Sequence, residues 1–79
     1  MQDDKVLKQI IQTLSSVIGV DESELSISSD IKNTSSWDSY NHVMFVMQIC
    51  EQFSIEFNQE IIMDFTSVRK IYNHIKGEK

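Results

Sequence analysis

Residues 38–53, DSYNHVMFVMQICEQF, decide the predicted fold of this chain. At about 100° of rotation per residue, their apolar side chains fall on one continuous helical arc of roughly 220°. Asp38 precedes the arc, where a carboxylate can accept the free backbone N–H groups of a first helical turn. An arc this wide exceeds what one neighbouring helix covers, so the stretch predicts a central helix from Asp38 to Phe53, buried on several sides. The arc consists of Phe45, Ile49, Phe53, Val46, Cys50, Val43, Met47 and Tyr40.

Three further helices are predicted around this one. Residues 3–18 carry apolar side chains at intervals of three and four, and Gly19 is placed to end that helix in a left-handed conformation. A short helix is predicted from Asn58, as its N-cap, through Met63. The last is predicted from Thr66, as its N-cap, to Lys76. The predicted fold class is therefore all-α: a four-helix bundle of three longer helices and one short helix.

Residues 20–37 form a long loop between the first two predicted helices. The loop is rich in Ser, Asp and Glu and shows no sustained period. Loops of this length are uncommon in so small a domain and are usually functional or disordered. Spaced apolar residues predict an ordered loop pinned across the helices, with a helical turn near residues 21–25. The predicted anchors are Val20, Leu25, Ile27, Ile31 and Trp37.

Length and composition predict one small domain, residues 1–79, in a reducing compartment. Seventy-nine residues are near the smallest size at which a hydrophobic core suffices without staples. The single cysteine, Cys50, cannot form an intramolecular disulfide, and it falls in the apolar arc as a small buried side chain. No apolar run approaches the roughly 20 residues of a membrane span. We expect a monomeric, cytoplasmic protein that does not bind membranes.

The charge of the chain is concentrated in its middle. Residues 20–64 hold nine acidic residues against Lys32 alone, a net charge of −8, whereas the whole chain carries −5. Nucleic-acid binding requires clustered Lys and Arg, so this distribution argues against it. It suits steering toward partners with basic surfaces, although a solubilising surface explains it equally well.

Ser39 is the candidate for chemistry, because it opens the central helix directly after the long loop. A hydroxyl there lies beside unpaired backbone N–H groups and the positive end of the helix dipole, which favour a phosphate. On local grounds alone, a serine in a first helical turn is more often a simple capping residue.

The wider pattern resembles the acyl carrier protein family over about residues 4–76. The resemblance is carried by four stretches in order: Ile18-Gly19-Val20-Asp21, Trp37-Asp38-Ser39-Tyr40, Glu51-Gln52-Phe53-Ser54-Ile55 and Thr66-Ser67-Val68. In that family the serine of an Asp-Ser-Leu motif receives 4′-phosphopantetheine from coenzyme A, which implies attachment at Ser39. The resemblance further implies that Asp38 contributes to recognition by a phosphopantetheinyl transferase.

The same resemblance implies a carrier rather than an enzyme. The arm would hold acyl or aminoacyl cargo as a thioester, and separate loading and transferring enzymes would act on that cargo. Tyr40 stands where the family usually has Leu, and a Trp-Asp-Ser core looks more like carriers of specialised pathways than those of fatty-acid synthesis.

Two surfaces are predicted from the helix geometry. Met44 and Glu51 fall on the polar side of the central helix and are predicted to face an incoming partner enzyme. A cleft between the second and third helices is predicted to shelter cargo. Its predicted walls are Val43, Val46, Met47, Cys50, Ile61 and Ile62.

Three other interpretations fit parts of the sequence. A helical adaptor with the same bundle but no modification is the main alternative. A small hydrolase with Ser39 as nucleophile and His42 as base lacks a glycine-rich oxyanion loop, and His42 reads as a helix-edge residue. Cys50, His42 and His74 lack metal-ligand spacing, so no metal is predicted.

Overall fold

The computed structural model of the chain describes residues 5–77, which form four α-helices and one short 3₁₀ turn. The helices are α1 (Lys5–Ile18), α2 (Ser39–Phe53), α3 (Gln59–Asp64) and α4 (Val68–Lys76), and the 3₁₀ turn is Glu22–Glu24. The all-α bundle predicted from the sequence is confirmed. The predicted start of the first helix at Asp3 lies outside the described residues. No helix within residues 5–77 is long and apolar enough to cross a membrane.

Helix α1 packs against α2 and α4, and α2 also contacts α3. The core between them is built from side chains that lose all or nearly all of their exposure to water. Gly19 ends α1 in a left-handed conformation, φ 73°, as predicted. The fully buried core side chains are Ile10, Leu14, Trp37, Phe45, Val46, Ile49, Phe65, Val68 and Ile71.

The long loop is ordered and pinned as predicted. Leu25 and Trp37 are buried in the core, and Val20, Ile27 and Ile31 pack against it. The predicted helical turn is the 3₁₀ turn Glu22–Glu24. An isolated antiparallel bridge between Asp30 and Ser67 joins the loop to the start of α4.

The last helix begins one residue later than predicted, because of this bridge. The N-cap of α4 is Ser67 rather than Thr66, and its hydroxyl accepts the N–H of Lys70 at 3.1 Å. Thr66 is held outside the helix, because its carbonyl accepts the N–H of Ile31 at 3.0 Å. Pairing of Thr66 with the loop therefore determines the residue at which α4 begins.

The central helix is buried over a narrower arc than predicted. Its buried side chains span only about 140° at 100° per residue, from Phe45 round to Cys50. Tyr40, Val43 and Met47 were predicted inside the buried arc, but 75%, 37% and 45% of their surfaces are exposed. The prediction was wrong for these three, because α3 is only six residues long and leaves this side of α2 uncovered.

Candidate functional site

Ser39 is the first residue of α2 and lies exposed to solvent. The preceding residue, Asp38, is the N-cap, with extended backbone angles and a carboxylate that accepts the N–H of Asn41 at 3.0 Å. The carbonyl of Asp38 accepts the N–H of His42 at 2.8 Å, the first hydrogen bond of the helix. The hydroxyl of Ser39 thus stands at the open end of a well-capped helix.

The chain leading into Ser39 is fixed from both sides. The side-chain amide of Asn41 donates to the carbonyl of Ser36 at 3.0 Å. One residue later, the indole of Trp37 is buried and meets the ring of Phe45 edge-on, with centroids 5.4 Å apart. These contacts hold residues 36 and 37 against α2, so the backbone carrying Ser39 has a defined path.

His42 is buried, contrary to its prediction as a helix-edge residue, with 5% of its surface exposed. Its Nδ1 lies 3.0 Å from the indole Nε1 of Trp37, and its Nε2 lies 2.6 Å from the carbonyl oxygen of Ile62. Sequence reasoning missed this bridge. The signal was present, since at about 100° per residue His42 falls between Ile49 and Phe53, inside the apolar arc.

The bridge also removes His42 from any nucleophilic mechanism. A general base for Ser39 needs a ring nitrogen free to take the hydroxyl proton. Both ring nitrogens are already occupied, one by Trp37 and the other by Ile62. The Ser39–His42 pair is therefore not a hydrolytic dyad. Within residues 5–77, no cluster of three His, Cys, Asp or Glu side chains is arranged to hold a metal ion.

Directly beyond Ser39, the outer side of α2 presents an exposed apolar stripe. We define it as Tyr40, Val43, Met44 and Met47, spaced at i, i+3, i+4 and i+7 along one helical face. Met44, predicted on the polar side, is 39% exposed, close to the 45% of Met47. Glu51 is exposed one turn beyond Met47. Large apolar side chains aligned on an uncovered helix face commonly mark interaction sites.

At the far end of this stripe lies a shallow groove of about 280 Å³ between α2 and the loop after it. Ile55 and Phe57, two of its walls, come from that loop and were not anticipated. Of the predicted cleft residues, Met47 and Cys50 line this groove, while Val46 is fully buried in the core. Ile61 and Ile62 are half-buried against the core, and Val43 belongs to the stripe. The groove is lined by Met47, Cys50, Glu51, Ile55 and Phe57.

Cys50 is the inner wall of this groove and is not a reactive thiol. Only 3% of its surface is exposed, as expected for a small buried side chain. Burial raises the pKa of the Cys50 thiol, because the charged thiolate loses its hydration there. The thiol therefore stays protonated at neutral pH and contributes an apolar surface to the groove.

An exposed serine thus lies at the capped start of the central helix, beside an uncovered apolar helix face. The family described as "Phosphopantetheine attachment site" matches residues 8–75, so the chain belongs to this family of acyl carrier proteins. It carries a covalent 4′-phosphopantetheine, and it is a carrier rather than an enzyme. It works with a phosphopantetheinyl transferase and with acyl-handling enzymes.

A relative of the same kind is similar over nearly the full length of both chains. The acyl carrier protein of Coprothermobacter proteolyticus is 24% identical over 77 residues, which cover 98% of this chain and 94% of the relative.

Proposed function

We propose that Ser39 is the attachment residue and that the chain presents thioester-linked acyl or aminoacyl cargo to partner enzymes. The observation that carries the proposal is the position of Ser39, an exposed hydroxyl on the first residue of the buried central helix. It follows Asp38 in the order of the family's Asp-Ser motif. In this proposal Asp38 also contributes to recognition by the transferase.

The surroundings of Ser39 fit a phosphodiester. The N–H groups of the first helical turn have no acceptor within the helix, and the Asp38 carboxylate takes only that of Asn41. The N–H groups of Ser39 and Tyr40 therefore point out of the helix end, where the dipole favours negative charge. When bound, the group supplies a thiol that holds cargo as a thioester. Ser39 would anchor it, and the backbone N–H groups would stabilise its phosphate.

The apolar stripe is proposed as the surface that partner enzymes contact. Met44 is central to it, and Glu51 adds a negative charge at its far end. Flexible thioether side chains adapt to different apolar partners, which suits a carrier visited by several enzymes. The exposed acids outside α2 would steer the basic docking surfaces expected of those enzymes. We expect the carrier to act as a cytoplasmic monomer, since each enzyme must reach the same serine.

The groove beyond Met47 is proposed as the shelter for the first part of the cargo. Ser39 and Cys50 are eleven residues apart on one helix, a rise of about 17 Å. The apolar stripe joins them along the helix surface. At about 280 Å³ the groove is at the small end of ligand sites, so it suits a short acyl or aminoacyl group. The other predicted cleft residues, Val43, Val46, Ile61 and Ile62, do not line this groove.

A specialised pathway is proposed over fatty-acid synthesis. Tyr40 replaces the usual Leu after the serine, and α2 holds a single acid, Glu51. A partner would therefore recognise α2 through apolar contact more than through charge.

Counting thiols in the native protein tests the proposal against an unmodified adaptor. Coexpression with a broad-specificity transferase should give one thiol that reacts rapidly with a disulfide reagent, because the arm ends in solvent. The same protein expressed alone should show none in that fast phase, since Cys50 is buried. If the coexpressed protein has no more thiols than the protein expressed alone, in either the fast or the slow phase of the reaction, the unmodified adaptor is favoured.

A further inference from the structure

The two contacts of the His42 ring fix the position of its proton. An indole N–H can only donate, so the Nδ1 atom that receives Trp37 at 3.0 Å is unprotonated. A carbonyl oxygen can only accept, so the Nε2 atom at 2.6 Å from Ile62 carries the proton. Only the neutral ring protonated at Nε2 satisfies both partners.

The two partners belong to different parts of the molecule. Trp37 lies two residues before Ser39, at the end of the long loop. Ile62 lies in the last turn of α3, where helix carbonyls commonly lack an N–H partner further along the chain. His42 therefore satisfies an end carbonyl of α3 and anchors the approach to Ser39 with one side chain.

We propose that His42 is a positioning residue that couples α3 to the segment carrying Ser39 through its tautomer. If α3 moves away from α2, Nε2 loses the carbonyl that keeps the proton there. The tautomer protonated at Nδ1 can then be populated. In that tautomer the Nδ1–H faces the indole N–H of Trp37, and two donors cannot form a hydrogen bond. Separation of α3 therefore weakens the anchor of Trp37, and release of Trp37 likewise weakens the hold on α3.

The short length of α3 makes this coupling consequential. A six-residue helix is not stable by itself, so its position depends on its packing, its cap and the His42 contact. It directly follows the loop whose Ile55 and Phe57 line the groove where cargo is proposed to shelter. The functional consequence rests on the proposed function: cargo that displaces α3 would alter how firmly Ser39 is presented. The tautomer coupling itself is independent of cargo.

The first test is the proton position in the unmodified protein. In ¹⁵N spectra, the His42 ring should show an unprotonated Nδ1 and a protonated Nε2 without averaging between tautomers, and His42→Gln should remove that signal. His74→Gln is the matched control, because His74 is exposed and should leave the signal in place. A folded protein with the His42 proton on Nδ1 would overturn the proposal.

The second test loosens α3 at a distance from the ring. The side chain of Asn58 caps α3 by accepting the N–H of Ile61 at 2.9 Å, so Asn58→Ala should raise helix opening about fivefold. The chain has a single tryptophan, and its indole N–H should then exchange with solvent faster by a similar factor. The matched control is Ser67→Ala, which removes the corresponding cap of α4 and should leave indole exchange unchanged.

Amide exchange in residues 59–64 reports directly whether α3 has opened. Should Asn58→Ala not open it, Met63→Pro breaks the helix at an exposed position. An opened α3 with wild-type indole exchange, or an equal response to Ser67→Ala, would overturn the coupling. Because both tests use the unmodified chain, failure of attachment at Ser39 would overturn the proposed function and leave these results standing.

Discussion

Asp38 holds two assignments at the residue scale, and substitution can separate them. Its carboxylate caps α2 through Asn41, and it is proposed to take part in transferase recognition. Asn caps as well as Asp but carries no charge. We expect Asp38→Asn to keep the free energy of unfolding within about 0.5 kcal/mol and to slow transfer of phosphopantetheine. Asp38→Ala should slow transfer and, in addition, lower the free energy of unfolding by about 1 kcal/mol.

Urea unfolding and transferase kinetics on the two variants provide the measurement. Wild-type transfer to a stable Asp38→Asn protein would leave Asp38 with the capping role alone.

Cys50 predicts a dependence of stability on alkaline pH. Burial raises the pKa of its thiol in the folded state, so below the ordinary thiol pKa both folded and unfolded states hold the proton. Above it, the unfolded thiol ionises first, and the free energy of unfolding falls as pH rises. Urea unfolding at pH 7.5 and 9.5 should show this fall.

The matched variant for this measurement is Cys50→Ala, which should show a smaller fall because it lacks the thiol. An equal fall in both proteins would assign the pH effect to other groups.

At this scale, sequence patterns predicted the environments of some side chains and not of others. Asp38 and Trp37 were predictable because a capping carboxylate and a lone indole each have one favoured environment. His42 was not assigned correctly, because its polarity suggested the surface while its angular position indicated the core. Its two hydrogen-bond partners come from the loop and from α3, and no local pattern in the sequence identifies them.

At the scale of the element, two substitutions that each add a negative charge test whether the apolar stripe of α2 is the partner surface. Met44→Glu and Met47→Glu should each leave the free energy of unfolding within about 0.5 kcal/mol, because both side chains are exposed. Each should slow phosphopantetheine transfer or cargo loading severalfold, since a carboxylate weakens apolar docking. Gln12→Glu adds the same charge on the exposed side of α1 and should load normally.

Transferase kinetics and urea melts on the three variants decide the matter. If all three slow transfer equally, the effect is one of net charge and the apolar stripe is not the contact surface.

The same element explains why periodicity overestimated burial. An apolar arc predicts which side chains prefer contact, but the neighbours decide which of them obtain it. Helix α3 is too short to cover Tyr40, Val43 and Met47. These apolar side chains would instead be covered by a partner protein, which contacts them as a core would. The start of α4 was equally undetermined, because Thr66 and Ser67 are both good caps and the pairing of Thr66 with Ile31 selects between them.

At the scale of the whole molecule, the acidic middle segment predicts stabilisation by salt. Eight of its nine acids are exposed, and Asp30 is half-buried. Repulsion among surface charges is screened over about 10 Å at 0.1 M salt. Raising NaCl from low to moderate concentration should therefore raise the melting temperature by about 2–5 °C, since 1 kcal/mol corresponds to about 4–8 °C in a domain of this size.

A variant with Glu22→Gln and Glu24→Gln, both exposed on the 3₁₀ turn, should respond less to salt. A wild-type melting temperature that is flat or falls with salt would show that the acids are already balanced by their surroundings.

Attachment at Ser39 is the central claim, and site-resolved mass spectrometry tests it most directly. The wild-type chain, Ser39→Ala and Ser36→Ala would each be coexpressed with a broad-specificity phosphopantetheinyl transferase. Intact mass and fragmentation of the peptide spanning residues 33–69 would then be measured. The wild type and Ser36→Ala should each gain one phosphopantetheinyl group located on Ser39, and folded Ser39→Ala should gain none. Modification that persists in Ser39→Ala, or that maps to another residue of the wild type, would contradict the assignment.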